Sequence, residues 1–205
     1  MQTNANLHTG RKVIYSMIVS LDGYIEDRDG KFDWYQADEE MHAFLDEQEA
    51  DIDTHLYGRR MYEVMSAGWS SADQDPANPD YIKEFSRKWQ AMDKVVFSTT
   101  LDRVDFNSRL VRGDIAGEIA RLKALPGHNI SLGGAGIAAS FAELDLIDEY
   151  VLYVQPVIVG GGKPFFPPLA KRQPLWLVEA RPFGSGALCL RYQRANEEQD
   201  ASRPG

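Results

Sequence analysis

Two arginines stand together behind a glycine in Leu56-Tyr57-Gly58-Arg59-Arg60-Met61-Tyr62-Glu63, where an apolar stretch gives way to a helical pattern. A guanidinium fork matches phosphate oxygens two at a time, and the free N–H groups of a helix start add to the same attraction. The plainer alternative is a solvated surface pair. In a chain with 22 Lys+Arg against 31 Asp+Glu, net charge −9, an arginine pair at such a junction favours an anionic ligand. A second feature, Leu132-Gly133-Gly134-Ala135-Gly136-Ile137, also lies between a strand-like and a helix-like run. Glycines there let the backbone approach a ligand closely, and Gly134 to Ala139 fits the G-x-G-x-x-A spacing of dinucleotide sites. It sits late in the chain and lacks an acid about 20 residues further on, so a tight strand-to-helix turn is the competing reading. A third, Ser20-Leu21-Asp22-Gly23-Tyr24-Ile25, offers Asp22 as an acid or as a turn residue.

Other chemistries drop out. Gly160-Gly161-Gly162-Lys163-Pro164 resembles a phosphate loop, but Ile158 and Pro164 break the pattern, which excludes a nucleoside triphosphatase. His8, His42, His55 and His128 form no close-spaced metal pair, so no metal site is expected. One cysteine, Cys189, excludes an intramolecular disulfide and a Cys-rich zinc site. There is no G-x-S-x-G elbow. The acidic balance makes nucleic acid and anionic membrane surfaces poor partners. The opening MQTNANLHTGRK has no apolar core, and no apolar run is long enough to span a bilayer, so a cytoplasmic protein is expected.

The elements that must position these residues follow from periodicity. Lys12–Val19 reads as a buried strand and 26–33 as a charged loop. Asp38 opens a helix whose apolar face carries Met41, Phe44 and Leu45. His55–Gly58 is a short strand that leads directly into the Arg59–Ser66 helix. Residues 70–79 form a loop, and 79–92 an amphipathic helix with Ile82, Phe85 and Trp89 on one face. Lys94–Ser98 is a strand and Asp114–Leu125 a helix with Asp114 as N-cap. Asn129–Leu132 is a strand and Ile137–Leu144 a helix. Ile147–Val159 reads as a long strand with Pro156 marking an edge or bulge. Trp176–Glu179 and Leu188–Tyr192 flank Phe183-Gly184-Ser185-Gly186 as a hairpin. Strands alternate with helices and a β-rich end follows, which is an α/β chain with a mostly parallel sheet and an antiparallel C-terminal hairpin. At 205 residues one domain suffices, and it is placed at 11–194 between a polar arm, 1–10, and a polar tail, 195–205.

In order and spacing, Ser20–Ile25, Gly58–Glu63, Val95–Ser98, Gly133–Gly136 and Pro156–Gly162 together resemble the dihydrofolate reductase-like superfamily. The nearer likeness is to the reductase domain at the C-terminal end of bifunctional riboflavin-biosynthesis proteins. That resemblance implies a dihydrofolate reductase-like three-layer fold and NADPH as hydride donor. It implies that Arg59, Arg60, Ser98 and Thr99, with Gly58, receive the adenosine 2′-phosphate, and that Gly133, Gly134, Ala135, Gly136 and Ile137 take the pyrophosphate. Dihydrofolate reductases carry a carboxylate after a Trp-Asn-Leu-Pro-like stretch; the nearest match here is Trp34-Tyr35-Gln36-Ala37-Asp38. On that analogy Asp38 and Asp22 are the acids near the substrate, and Trp34 and Tyr35 its aromatic walls. A helix cap is the alternative role for Asp38. The family's threonine is replaced by Met61, which cannot bond a phosphate. No segment matches the deaminase-like partner domain, so a stand-alone reductase domain is expected.

The activity implied is reduction of a pteridine- or pyrimidine-like heterocycle, as in 5-amino-6-(5-phosphoribosylamino)uracil reductases. The alternatives are a dihydrofolate or xenobiotic carbonyl reductase of the same fold, and an NADPH-binding module without catalysis. A homodimer is expected, because the Tyr150–Val159 strand or the final hairpin would otherwise leave an apolar sheet edge bare.

Overall fold

A computed structural model describes residues 10–35 and 38–195. The expected arm and tail lie almost wholly outside these residues. Ten strands and five helices follow one another: β1 (Val13–Ser20), β2 (Tyr24–Glu26), α1 (Glu39–Glu49), β3 (Ile52–Gly58), α2 (Arg59–Trp69), α3 (Asp80–Ala91), β4 (Asp93–Phe97), β5 (Ser108–Val111), α4 (Ile115–Ala124), β6 (Asn129–Gly133), α5 (Ala135–Glu143), β7 (Glu149–Gln155), β8 (Lys163–Pro164), β9 (Leu175–Pro182) and β10 (Leu188–Arg194).

Eight strands form one sheet in the order β5-β4-β3-β6-β1-β7-β10-β9, and β2 pairs with β8 in a small ribbon. The first six strands are mutually parallel, while β10 runs antiparallel to both β7 and β9. Period-two alternation in β1 sends Val13, Tyr15 and Val19 to one face, where Ile119 and Leu122 of α4 and Phe141 of α5 complete the main core. Ile14 points the other way, to α1 through Met41 and Phe44. On that same face Tyr57 and Val96 pack with Tyr62 of α2. Helices thus cover both faces, giving three layers.

Two expectations change. The long strand ends at Gln155, and β7 lies inside the sheet between β1 and β10, so Tyr150–Val159 is not an edge. Pro156 sits just past the last ladder bond, where its missing N–H costs nothing. The bare edge is β9, with Trp176, Leu177 and Val178 exposed. The opposite edge, β5, lacks the apolar alternation that marks a strand; it is held by pairing Lys94–Phe97 with Ser108–Val111.

Candidate active site

β3 and β6 are neighbours, so the two glycine junctions that follow them meet at one end of the sheet. A Cβ on Gly58 would lie 3.2 Å from the Ile137 Cβ, so the starts of α2 and α5 are in contact. Side chains account for two of the glycines in the second junction. A Cβ on Gly133 would stand 3.0 Å from the Tyr57 ring, and one on Gly134 would stand 3.1 Å from the Met61 Cβ, with Gly134 at φ +100°. Gly136 is different: nothing lies within 4 Å of where its Cβ would be. The first turn of α5 therefore presents free N–H groups beside open space, the arrangement that accepts a phosphate.

The two arginines diverge. Arg59 pairs with Glu63 at 2.7 Å and donates to the Thr100 hydroxyl at 3.1 Å. Arg60 turns away and binds Glu26 of β2 at 2.8 Å. The loop after β4 is tightly built: the Ser98 hydroxyl accepts from the N–H groups of Thr100 and Leu101. Arg112 donates to the carbonyls of Thr99 at 3.3 Å and Leu101 at 2.7 Å. Arg59, Ser98, Thr99 and Thr100 thus share one locality, and Arg60 belongs to another.

Pairing register aligns Tyr57, Gly133, Ser16 and Val151 across four strands, and His55, Ser131 and Ile14 in the next row. The middle residues, Gly133, Ser16 and Ser131, are small. β1 and β6 are central strands, yet Ser16, Ile18 and Ser131 are only half-buried. The α1 core and the α2 core occupy the same sheet face on either side of them. A trough therefore runs between the two cores, floored by small polar side chains and opening toward the glycine junctions. Tyr35 and Leu45 pack on its α1 side, and Tyr57, Met61 and Met65 on its α2 side. The Trp34 Nε1 is buried with no hydrogen-bond partner among the described residues.

Both expected acids are occupied. Asp38 is the N-cap of α1: one oxygen accepts from the Met41 N–H at 2.8 Å, the other from the Ser185 N–H at 2.7 Å. Those bonds, the Met41 amide first, hold its carboxyl below the usual carboxylate range. Asp22 accepts from the N–H groups of Val159 at 3.1 Å and Gly160 at 2.9 Å. Its carboxyl is lowered chiefly by the Ser20 hydroxyl, with these amides adding. Each is a carboxylate tying a loop: Asp38 joins α1 to the β9–β10 turn, Asp22 joins the β1 turn to the segment after β7.

The family model of the RibD C-terminal domain matches residues 11–189. The chain belongs to the RibD C-terminal domain family. The uncharacterized protein YyaP of Bacillus subtilis (strain 168) is 36% identical over 183 residues, covering 89% of this chain and 94% of that protein. Among solved structures, the diaminohydroxyphosphoribosylaminopyrimidine deaminase/5-amino-6-(5-phosphoribosylamino)uracil reductase of Thermotoga maritima superposes with a TM-score of 0.63 at 14% identity, over 91% of this chain and 57% of that one. Dihydrofolate reductase from Enterococcus faecalis, complexed with NADP(H), gives 0.61 at 15% identity over 90% and 97%. These two likenesses concern the fold.

Within this RibD C-terminal domain, Gly58, Arg59, Ser98, Thr99, Gly136 and Ile137 converge at the strand ends, with Gly133, Gly134 and Ala135 behind them. Asp22, Asp38 and Arg60 are engaged elsewhere. Thr100, Arg112, Ser16 and Ser131 escaped the sequence reading. Arg112 lies beside a strand with no apolar signature, and a serine in a strand signals nothing until the register sets it beside another.

Proposed function

We propose that this chain is an NADPH-dependent reductase of a planar heterocycle of the pteridine or pyrimidine kind. The observation that carries the reading is the contact between the α2 and α5 starts, with open space at Gly136. The residues present fit a dinucleotide phosphate: N–H groups of the α5 first turn for the pyrophosphate, and Arg59 with Ser98 and Thr100 for a 2′-phosphate. When bound, reduced nicotinamide supplies a hydride. The chain's own part is to hold the reactants in register. Ser16 and Ser131 offer hydroxyls to a substrate's ring heteroatoms, and Tyr35 and Tyr57 bound it on either side. Asp38 and Asp22 fix the loops around it.

The test has two steps. NADPH and NADH binding is measured by nicotinamide fluorescence, and NADPH oxidation is then followed with 5-amino-6-(5-phosphoribosylamino)uracil and with 7,8-dihydrofolate. NADPH binding without oxidation of either compound would favour a binding module, a reading supported by the engagement of both expected acids. Absence of NADPH binding would end the reductase reading.

A further inference from the structure

Reduction of a C=N or C=O bond leaves a heteroatom that must gain a proton. Asp22 and Asp38 are poor sources, because backbone amides hold both as carboxylates. A different carboxyl faces His55, the strand neighbour of Ser131 in the trough floor. Glu49, in the last turn of α1, brings its Oε2 to 3.5 Å from the Nε2 of His55 on β3. Both atoms are buried, and neither has a hydrogen-bond partner among the described residues. His55 lies in the same register row as Ser131, the polar floor of the trough. An orphaned buried pair of this kind is costly in a native fold and calls for a use.

The pair also bridges inside and outside. His55 is buried, its side chain 6% exposed, whereas the Glu49 side chain is 40% exposed although its Oε2 is enclosed. The titratable groups around the pair come from α1, β3, β4 and β7, where the buried Tyr153 hydroxyl interacts with Glu49. Lys94 of β4 faces His55, but its ammonium is already bonded to the carbonyls of Trp89 and Met92. Asp53 on β3 acts on His55 in the opposite sense, and Asp46 on α1 acts on Glu49. The Tyr57 ring stands 6.0 Å from the imidazole. Burial, aided by Asp46, raises the Glu49 carboxyl above its ordinary value. Burial, aided by Lys94, pushes His55 down to about 4. Burial thus favours the uncharged form of both groups, the carboxylic acid and the neutral imidazole.

We infer that Glu49 and His55 form a proton-holding pair that serves a ligand reduced in the trough, with solvent loading Glu49 and the buried side releasing the proton inward. This inference rests on the reductase reading above. The balance is simple. The π electrons of the C=N or C=O bond move to the heteroatom as the carbon gains hydride from reduced nicotinamide. The heteroatom takes the proton of the pair, leaving Glu49 as carboxylate. Water then protonates Glu49 again from its exposed side. A separation of 3.5 Å is long for a hydrogen bond, but such contacts tighten when ligand binds.

The test uses the full-length protein and the variants Glu49→Gln and Glu49→Asp, each checked by thermal melting. Imidazole ¹⁵N NMR follows His55 from pH 4 to 9. The expected result is a shift of the His55 Nε2 signal that tracks ionisation of residue 49, is retained in Glu49→Asp and is absent in Glu49→Gln. NADPH oxidation with the two compounds named above is then measured in H₂O and D₂O. Glu49→Gln is expected to lower kcat at least ten-fold, with KM and NADPH affinity within two-fold of wild type, and Glu49→Asp to restore part of the rate. A His55 that titrates independently of residue 49 overturns the pair, whether or not either compound is turned over. So does a Glu49→Gln enzyme with wild-type kcat. Failure of wild type to bind NADPH instead removes the reductase reading, and the proton-delivery role with it.

Discussion

At the scale of single residues, the glycines of the second junction divide by what stands beside them. Gly133 and Gly134 are glycine because Tyr57 and Met61 fill the neighbouring space, and Gly134 also needs its φ of +100°. Gly136 has room on all sides. Gly136→Val is therefore expected to leave the melting temperature near wild type, because Val and Gly are both modest helix formers, while abolishing NADPH binding by filling the phosphate approach. Gly134→Val is expected to lower the melting temperature even without ligand. Calorimetric melts and a fluorescence titration check both. The sequence supplied the glycine pattern, but which glycine faces a ligand depends on Tyr57 and Met61, which are 72 or more positions earlier and meet the turn only through β3–β6 pairing. The arginines give a second case. Their adjacency is visible in sequence; their divergence depends on Thr100 and Glu26. Arg59→Ala is expected to weaken NADPH by roughly 1.5–3 kcal/mol, the worth of one charged hydrogen bond, and to leave NADH unchanged. Arg60→Ala should affect both cofactors alike. Isothermal titration of the two variants against both cofactors distinguishes them.

At the scale of elements, α1, α3 and α4 were legible because each carries an apolar stripe, and α1 and α4 also a start signal. Asp38 and Asp114 cap α1 and α4 as expected, accepting from the Met41 and Gly117 N–H groups. β5 was not legible: Ser-Arg-Leu-Val has no alternation, and only its neighbour β4 makes it a strand. Nor was the buried polar contact in which β3 presents His55 to Glu49 of α1. Burial holds that imidazole neutral, its value pushed to about 4. The unfolded chain binds a proton there from about pH 6.5 downward and the folded chain does not, so stability is present above 6.5 and is lost as pH falls toward 4. From pH 7.5 to 5 the loss from this group is about 2 kcal/mol. Glu49 has the opposite sign: its raised value favours the folded state at low pH and offsets part of that loss. Urea unfolding at the two pH values is expected to show a net decrease, and His55→Gln to flatten it.

At the scale of the whole molecule, α4 and α5 share one core with the β4, β3, β6 and β1 side of one sheet face, and Phe165 and Phe166 extend that cover over Tyr15 and Tyr150. Toward β9 the cover of this face thins: Met17 and Leu152 are half-buried despite lying on interior strands, and Leu177 and Leu188 are exposed. We propose that a second copy covers it, since an apolar sheet face of this extent seldom stays open to water. Light scattering is expected to give twice the 23.1 kDa chain mass, and Leu177→Glu to give a monomer; a wild-type mass near one chain would sink the idea. The sheet order has one more effect, on the order of events during synthesis. β1 leaves the ribosome before the other described strands, yet both of its partners come late: Val13 pairs with Ile130 and Ile14 with Glu149. At about 5–20 residues per second, this apolar strand waits on the order of ten seconds or more with both edges unpaired. The nascent chain is thus most vulnerable to misassociation before its own middle strand has found neighbours, and chaperone demand should fall sharply once β7 emerges.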